Sequence, residues 1–115
     1  MRTIGNTPVD GEVRAVASGA LPNGDPVVVN ADGTVSVVGG GNLTSENYIG
    51  IAKGAAADGT SAVVQTGCSI NDAQSGLTAG QAYYVQTDGT LGLTAADPSV
   101  LAGTAVSATK LIVKG

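Results

Sequence analysis

The side chains that most often carry catalysis are sparse in this sequence. None of the 115 residues is histidine, so the nine acids and the single Cys68 are the first candidates for proton transfer, nucleophilic attack or metal binding. Without histidine there is no Ser-His-Asp triad, no Cys-His pair and no histidine-based metal site. Cys68 lacks the histidine partner that would form its thiolate, so we expect it to be a small buried hydrophobic residue.

The acids are typical of turns rather than of a catalytic or metal site. Four of the nine come directly before glycine: Asp10, Asp32, Asp58 and Asp88. Aspartate before glycine suits tight hairpins, because Asp hydrogen-bonds nearby backbone and Gly adopts a positive φ. A calcium loop would need several acids at closer spacing. The sequence therefore predicts a protein that is not an enzyme, with no cofactor and no metal site.

The composition favours contact with other protein over nucleic acid or membrane. Charged residues make up 12% of the chain, against about 25% in ordinary domains, and the net charge is −4. The five basic residues are scattered and there are three aromatic side chains, so we expect no nucleic-acid binding. No apolar run approaches the length of a membrane span. Because the apolar residues are mostly small, we expect a homo-oligomer stabilised by its neighbours.

Short runs of β-branched residues between turn signals predict an all-β fold. The predicted strands cover 12–17, 26–30, 34–38, 48–52, 61–65, 82–86, 90–93, 102–106 and 110–113. No window shows the 3.6-residue apolar period of a helix.

An internal repeat organises these strands. Residues 20–37 match residues 76–93 at a shift of 56 positions, with Leu21 matching Leu77 and Asp32-Gly33-Thr34 matching Asp88-Gly89-Thr90. We interpret 12–67 and 68–115 as two copies of a four-strand unit within one domain that spans residues 1–115. Each copy is too small to bury a core alone, so the repeat predicts a small barrel or sandwich in which each half covers the other.

Two segments are candidate interfaces. Residues 39–47 form a glycine-rich loop, and its first five residues are the candidate contacts: Gly39, Gly40, Gly41, Asn42 and Leu43. The second candidate is Tyr83-Tyr84. Adjacent side chains on a strand point to opposite faces, so we expect one tyrosine in the core and the other facing a partner or solvent.

The turns and small residues together resemble small virion proteins of tailed bacteriophages. The stretches GALPNGDPVVVN (19–30), YIGIA (48–52) and AAADGT (55–60) resemble the capsid cement, or decoration, families. The stretches GLTAGQAYYV (76–85) and AGTAVSATKLIVKG (102–115) are similar to modules of phage tail-fibre proteins. The resemblance implies a β-rich, commonly trimeric protein on the outside of a virion, made in the cytoplasm of the host bacterium. It carries over no catalytic residues.

Two functions follow as hypotheses. The first is a capsid decoration protein that binds the major capsid protein, or another virion protein, at capsomer junctions and stabilises the phage head. The second is a tail-fibre or spike module that binds a receptor on the host surface. The absence of a long shaft region from the sequence favours the first.

Overall fold

The computed structural model describes residues 12–67 and 69–113, and every regular element in these ranges is a β-strand. The first half contains β1 (Glu12–Val16), β2 (Pro26–Val29), β3 (Val35–Val37), β4 (Tyr48–Ala52) and β5 (Ser61–Gln65). The second half contains β6 (Ile70–Asn71), β7 (Ala82–Val85), β8 (Leu91–Gly92), β9 (Leu101–Ala105) and β10 (Leu111–Val113). The predicted all-β class is confirmed. In these ranges no helix is long and apolar enough to cross a membrane.

The strands form two antiparallel sheets that pack together as a small sandwich. The first sheet has the order β1-β5-β4-β2-β3, and the second has the order β6-β10-β9-β7-β8. Each of the nine predicted strands overlaps an observed one. The tenth, β6, is only two residues long and shows no alternation that a sequence pattern could reveal. Each sheet therefore has five strands, one more than each predicted unit.

The two sheets have the same strand order when the strands of each half are counted from its first strand, and each sheet contains one shift in strand register. The register of β2 against β4 shifts between Val27 and Val28, and that of β7 against β9 shifts between Tyr83 and Tyr84. Such bulges bend a strand and increase its twist. An internal repeat would produce these common features, and the repeat itself stays a prediction.

Aspartate and glycine shape the hairpin between β2 and β3. The Asn30 N–H donates to the Thr34 carbonyl at 2.7 Å, and Gly33 adopts a φ of 88°. The Asp32 carboxylate accepts from the Thr34 N–H at 3.1 Å and from its hydroxyl at 2.6 Å. This is a three-residue loop with glycine at the left-handed position. The Asp88-Gly89-Thr90 hairpin repeats the same bonds between β7 and β8.

The first sheet curls until its two edge strands meet at one end. Ala17, directly after β1, forms a parallel bridge with Val35 of β3, and the Ser18 N–H donates to the Val35 carbonyl at 2.7 Å. The curl encloses a cluster of buried residues that we call the inner core. Its members are Ala17, Leu21, Val27, Val35, Ala52, Ala62 and Val64.

A second cluster, the shared core, lies between the two sheets. The first sheet and its 39–47 loop contribute Val28, Val38, Leu43 and Ile51, and the second half contributes Tyr83, Val85, Val100, Ala102, Ala105, Leu111 and Val113. Alternation along β2 explains how one sheet serves both clusters, because Val27 points into the curl and Val28 points towards the second sheet. Both faces of the first sheet are thus used in burial.

Polar side chains also join the two sheets. Asn71 of β6 is 1% exposed, and its side-chain amide donates to the Gln65 side-chain oxygen at 2.7 Å. The Gln74 amide donates to the Asn71 oxygen at 2.9 Å and to the Gly24 carbonyl at 2.7 Å. Buried amides that are satisfied in this way fix one arrangement of the packed elements, because any shift would leave them unpaired.

Candidate functional site

The acidic side chains of the described residues do not gather into a metal-binding group. In residues 12–67 and 69–113, no three His, Cys, Asp or Glu side chains lie close enough together to hold a metal ion. Cys68, expected to be buried, lies outside the described residues.

The structure separates the two adjacent tyrosines. Tyr83 is 6% exposed in the shared core, where its hydroxyl accepts a hydrogen bond from the Thr78 N–H at 2.7 Å. Tyr84 lies on the opposite face of β7 and is partly exposed. Of this candidate pair, only Tyr84 is in a position to contact another molecule.

Tyr84 belongs to an apolar surface that we call the outer face of the second sheet. Cross-strand partners share one face of a sheet, so the registers of the second sheet define its membership. It consists of Ile70, Ala82, Tyr84, Leu101, Thr104 and Ile112. None of the six is charged, and Ile70 and Leu101 are exposed by 51% and 38%.

The corresponding face of the first sheet is covered. Val28 follows the bulge of β2 and pairs with Tyr48, the first residue of β4. Tyr84 follows the bulge of β7 and pairs with Leu101, the first residue of β9. Val28 is fully buried against the second sheet, whereas Tyr84 is partly exposed. The second sheet packs on the corresponding face of the first sheet, whereas no third sheet of the described residues packs on the outer face.

The other predicted contacts lie in the 39–47 loop. Leu43 is buried in the shared core, while Gly40 and Gly41 are exposed with φ values of 64° and 83°. The Asn42 side chain closes the start of the loop, accepting from the Gly39 N–H at 3.0 Å and donating to the Val37 carbonyl at 3.0 Å. The glycines form the exposed tip, and Leu43 anchors the loop to the core.

A cleft of about 840 Å³ opens where the curled first sheet does not close. One wall is Val13, Arg14 and Ala15 of β1, and the other includes Gly33 and Val35 of the β2–β3 hairpin. Val29, Ser45, Tyr48, Ile49, Thr66, Ser99, Val100 and Leu101 complete the lining. The volume lies within the range of small-ligand sites, and mouths of β-barrels are common places for them. Among the described residues that line the cleft, Arg14 is the one with a charged side chain.

Tyr48 is the unusual polar group of the cleft. Its hydroxyl is buried and has no hydrogen-bond partner among the described residues. Burial raises the pKa of Tyr48, because the phenolate would be poorly solvated there, so the hydroxyl stays protonated. The hydroxyl can donate one hydrogen bond and accept others, and it makes none with the described residues.

Sequence reasoning located part of these surfaces. It named Tyr84 as one of a candidate pair, but it missed Leu101, Thr104 and Ile112, which become neighbours only through strand pairing. The apolar residues of β9 and β10 are visible in the sequence, although their alternation does not say which face is open. The cleft was missed because its walls come from distant parts of the chain.

Comparison with known proteins adds no family. The chain matches no protein-family model, and no curated protein matches it significantly.

Proposed function

We propose that this protein is a structural component of a phage virion, a capsid decoration protein that binds assembled shell through the outer face of the second sheet. The observation that carries the proposal is the uncovered apolar face. Its six residues are uncharged, and Val28, which occupies the place of Tyr84 in the first sheet, is fully buried. Exposed apolar sheet surfaces of this kind mark sites of protein contact.

Composition and resemblance support the same function. A chain with 12% charged residues has few groups that oppose association with another protein surface. The stretches at 19–30, 48–52 and 55–60 resemble cement proteins, whose place is the outside of the capsid. The partner is then the major capsid protein or another virion protein, and the role needs no catalytic residue or cofactor.

The stabilising mechanism is mass action. A protein that binds assembled shell but not free subunits lowers the free energy of the assembled state. The gain is about 2.7 kcal/mol per site at a free concentration 100 times the dissociation constant. Summed over many capsomer junctions, such a gain resists internal pressure and heat. Particles that carry the protein should survive heating or osmotic shock better than particles without it, and equal survival would count against the proposal.

A binding experiment tests the surface directly. Thr104 is central to the outer face, so T104K places an unpaired charge in the contact and should weaken binding to purified shells at least about tenfold. Ala57 is exposed in a turn of the first half, and A57K is the matched control that adds the same charge elsewhere. Equal binding by both variants would exclude the outer face as the docking surface.

The alternative is a tail-fibre or spike module that binds a host-surface receptor, and the cleft favours it because a concave apolar site suits a small recognition element. Copy number and position distinguish the two functions. Electron microscopy of labelled particles should find many copies over the head if the protein is a decoration protein. A few copies at the tail would support the receptor-binding function instead.

A further inference from the structure

The apolar interior of the curled first sheet opens at one end into the cleft. The bridge between Ala17 and Val35 closes the other end of the curl. Alternation along the chain puts Val13, Ala15 and Ala17 on the same side of β1. Ala17 is buried in the inner core and Ala15 packs against it, whereas Val13 is 39% exposed and lines the cleft. The floor of the cleft is therefore a continuation of the inner core that stays partly open.

The size and lining of the cleft suit a small molecule with an apolar body. Its volume of about 840 Å³ lies within the range of about 300–1,000 Å³ that is usual for ligand pockets. Val29, Val35 and Ile49 provide apolar lining on the side of the inner core. Val100 and Leu101 provide it on the side of the second sheet. An alkyl chain or ring that enters the cleft is therefore removed from water on two sides.

Two polar side chains of the cleft favour an anionic group on that molecule. Arg14 is exposed, and the ion pair of the described residues joins Lys53 to Glu12 and leaves Arg14 out. A guanidinium binds a carboxylate through charge-assisted and often paired hydrogen bonds. The Tyr48 hydroxyl is buried and makes no hydrogen bond with the described residues, although buried polar groups are normally paired. It is a second hydrogen-bond donor for a polar group in the cleft.

We propose that the cleft binds a small amphipathic carboxylate, with its apolar body against the inner core and its carboxylate at Arg14. A neutral molecule of the same shape gains the burial but not the charge-assisted hydrogen bonds. A cation is disfavoured, because the described lining contains Arg14 and no acidic residue. Binding needs neither an assembled shell nor any other virion protein, so it is decided independently of the proposed function.

Three probes with the same alkyl chain separate burial from charge: octanoate, octanol and octylammonium. Isothermal titration calorimetry on the full chain at pH 7 measures their affinities. We expect octanoate to bind with a dissociation constant of about 1 mM or lower. Octanol should bind about fivefold more weakly, and octylammonium more weakly again. The proposal is overturned if octanoate does not bind at up to about 10 mM, or if either of the other probes binds as tightly.

Variants of the cleft locate the bound molecule. R14Q removes a charge at an exposed position, so it should fold normally, weaken octanoate binding about fivefold and leave octanol binding unchanged. K110Q removes an exposed charge of the second half and is the matched control. A15L extends an apolar side chain into the cleft and should weaken octanoate and octanol alike, with urea unfolding as the check that it folds.

Equal octanoate binding by R14Q and K110Q would overturn the assignment of the carboxylate to Arg14. Unchanged binding of both probes by a folded A15L would place the bound molecule outside the cleft and would overturn the proposal as a whole. T104K changes the outer face and should bind octanoate like the original chain. A loss of shell binding in T104K with octanoate binding intact therefore distinguishes the two sites.

Discussion

Two glycines at matching places in the two sheets provide the sharpest test of the fold. A Cβ atom at Gly50 of β4 would collide with the Gln65 backbone carbonyl on β5. A Cβ atom at Gly103 of β9 would collide with the Ile112 backbone carbonyl on β10. Backbone atoms cannot rotate away as a side chain can, so replacing either glycine with alanine must push two paired strands apart.

The cost follows from what the displacement breaks. Overpacking a well-packed site costs about 1–3 kcal/mol, and a ladder hydrogen bond lost with it adds about 1 kcal/mol. We expect G50A and G103A each to lower the free energy of unfolding by about 2–4 kcal/mol. Such a loss is a large part of the stability of a domain this size.

Gly54 provides the matched control. Its φ is 82°, and a Cβ atom there would meet nothing within 4 Å. G54A therefore carries only the left-handed backbone penalty of about 1–2 kcal/mol. Urea unfolding followed by circular dichroism gives all three values, and G103A should shift the midpoint by about 1–2 M. If G103A cost no more than G54A, the close approach of β9 to β10 would be refuted.

Three other changes give distinct signatures. Y48F should leave the free energy of unfolding unchanged or raise it by about 1 kcal/mol, because it removes a buried hydroxyl without a partner. Y83F should lower the free energy of unfolding by about 1 kcal/mol, because the Tyr83 hydroxyl accepts a hydrogen bond. Thermal unfolding measures both variants, and equal effects would contradict these different roles of the two hydroxyls. N71A should cost about 2–3 kcal/mol in urea unfolding, since it leaves buried amides unpaired between the sheets, and a loss below about 0.5 kcal/mol would contradict that role. Hydrogen bonds from the neighbouring threonines lower the pKa of Asp32 and of Asp88 below the ordinary 3.8, so their carboxylates stabilise the fold above that pH and lose this effect as the pH falls through the lowered pKa. The stability advantage of the original chain over the double variant D32N/D88N should therefore shrink as the pH falls below the ordinary 3.8 and through the lowered pKa values, and a pH-independent difference would contradict the mechanism.

The sequence was sufficient for the elements whose signals are local. Hairpins at Asp32-Gly33 and Asp88-Gly89 follow from residues that are adjacent in the chain, and the structure has both. Alternation in Tyr83-Tyr84 predicted that the two rings face opposite sides, but not which side is the core. That choice depends on which sheet packs against which, a contact between residues far apart in sequence.

The closure of the first sheet, in which its two edge strands meet, could not be predicted from local sequence signals. The bridge of Ala17 to Val35 joins strands that are not neighbours in the sheet order, and nothing in either segment identifies the other. The cleft depends on how far this closure extends, so it could be found only once the strands were placed.

The way the two sheets pack explains why one apolar face is left over. Val27 and Tyr83 both precede the bulge of their strand, yet Val27 lies in the inner core and Tyr83 lies in the shared core. Corresponding residues thus face different neighbours, so the two sheets have the same orientation in the stack. One face of the first sheet packs against the opposite face of the second, and no two-fold axis brings equivalent faces together. A symmetric pair would turn the same face of each sheet inwards. Stacking in one sense buries both faces of the first sheet and only one face of the second. Among the described residues, the stack of sheets therefore ends at the outer face of the second sheet, where Tyr84 lies partly exposed, and this is the face on which the proposed function depends.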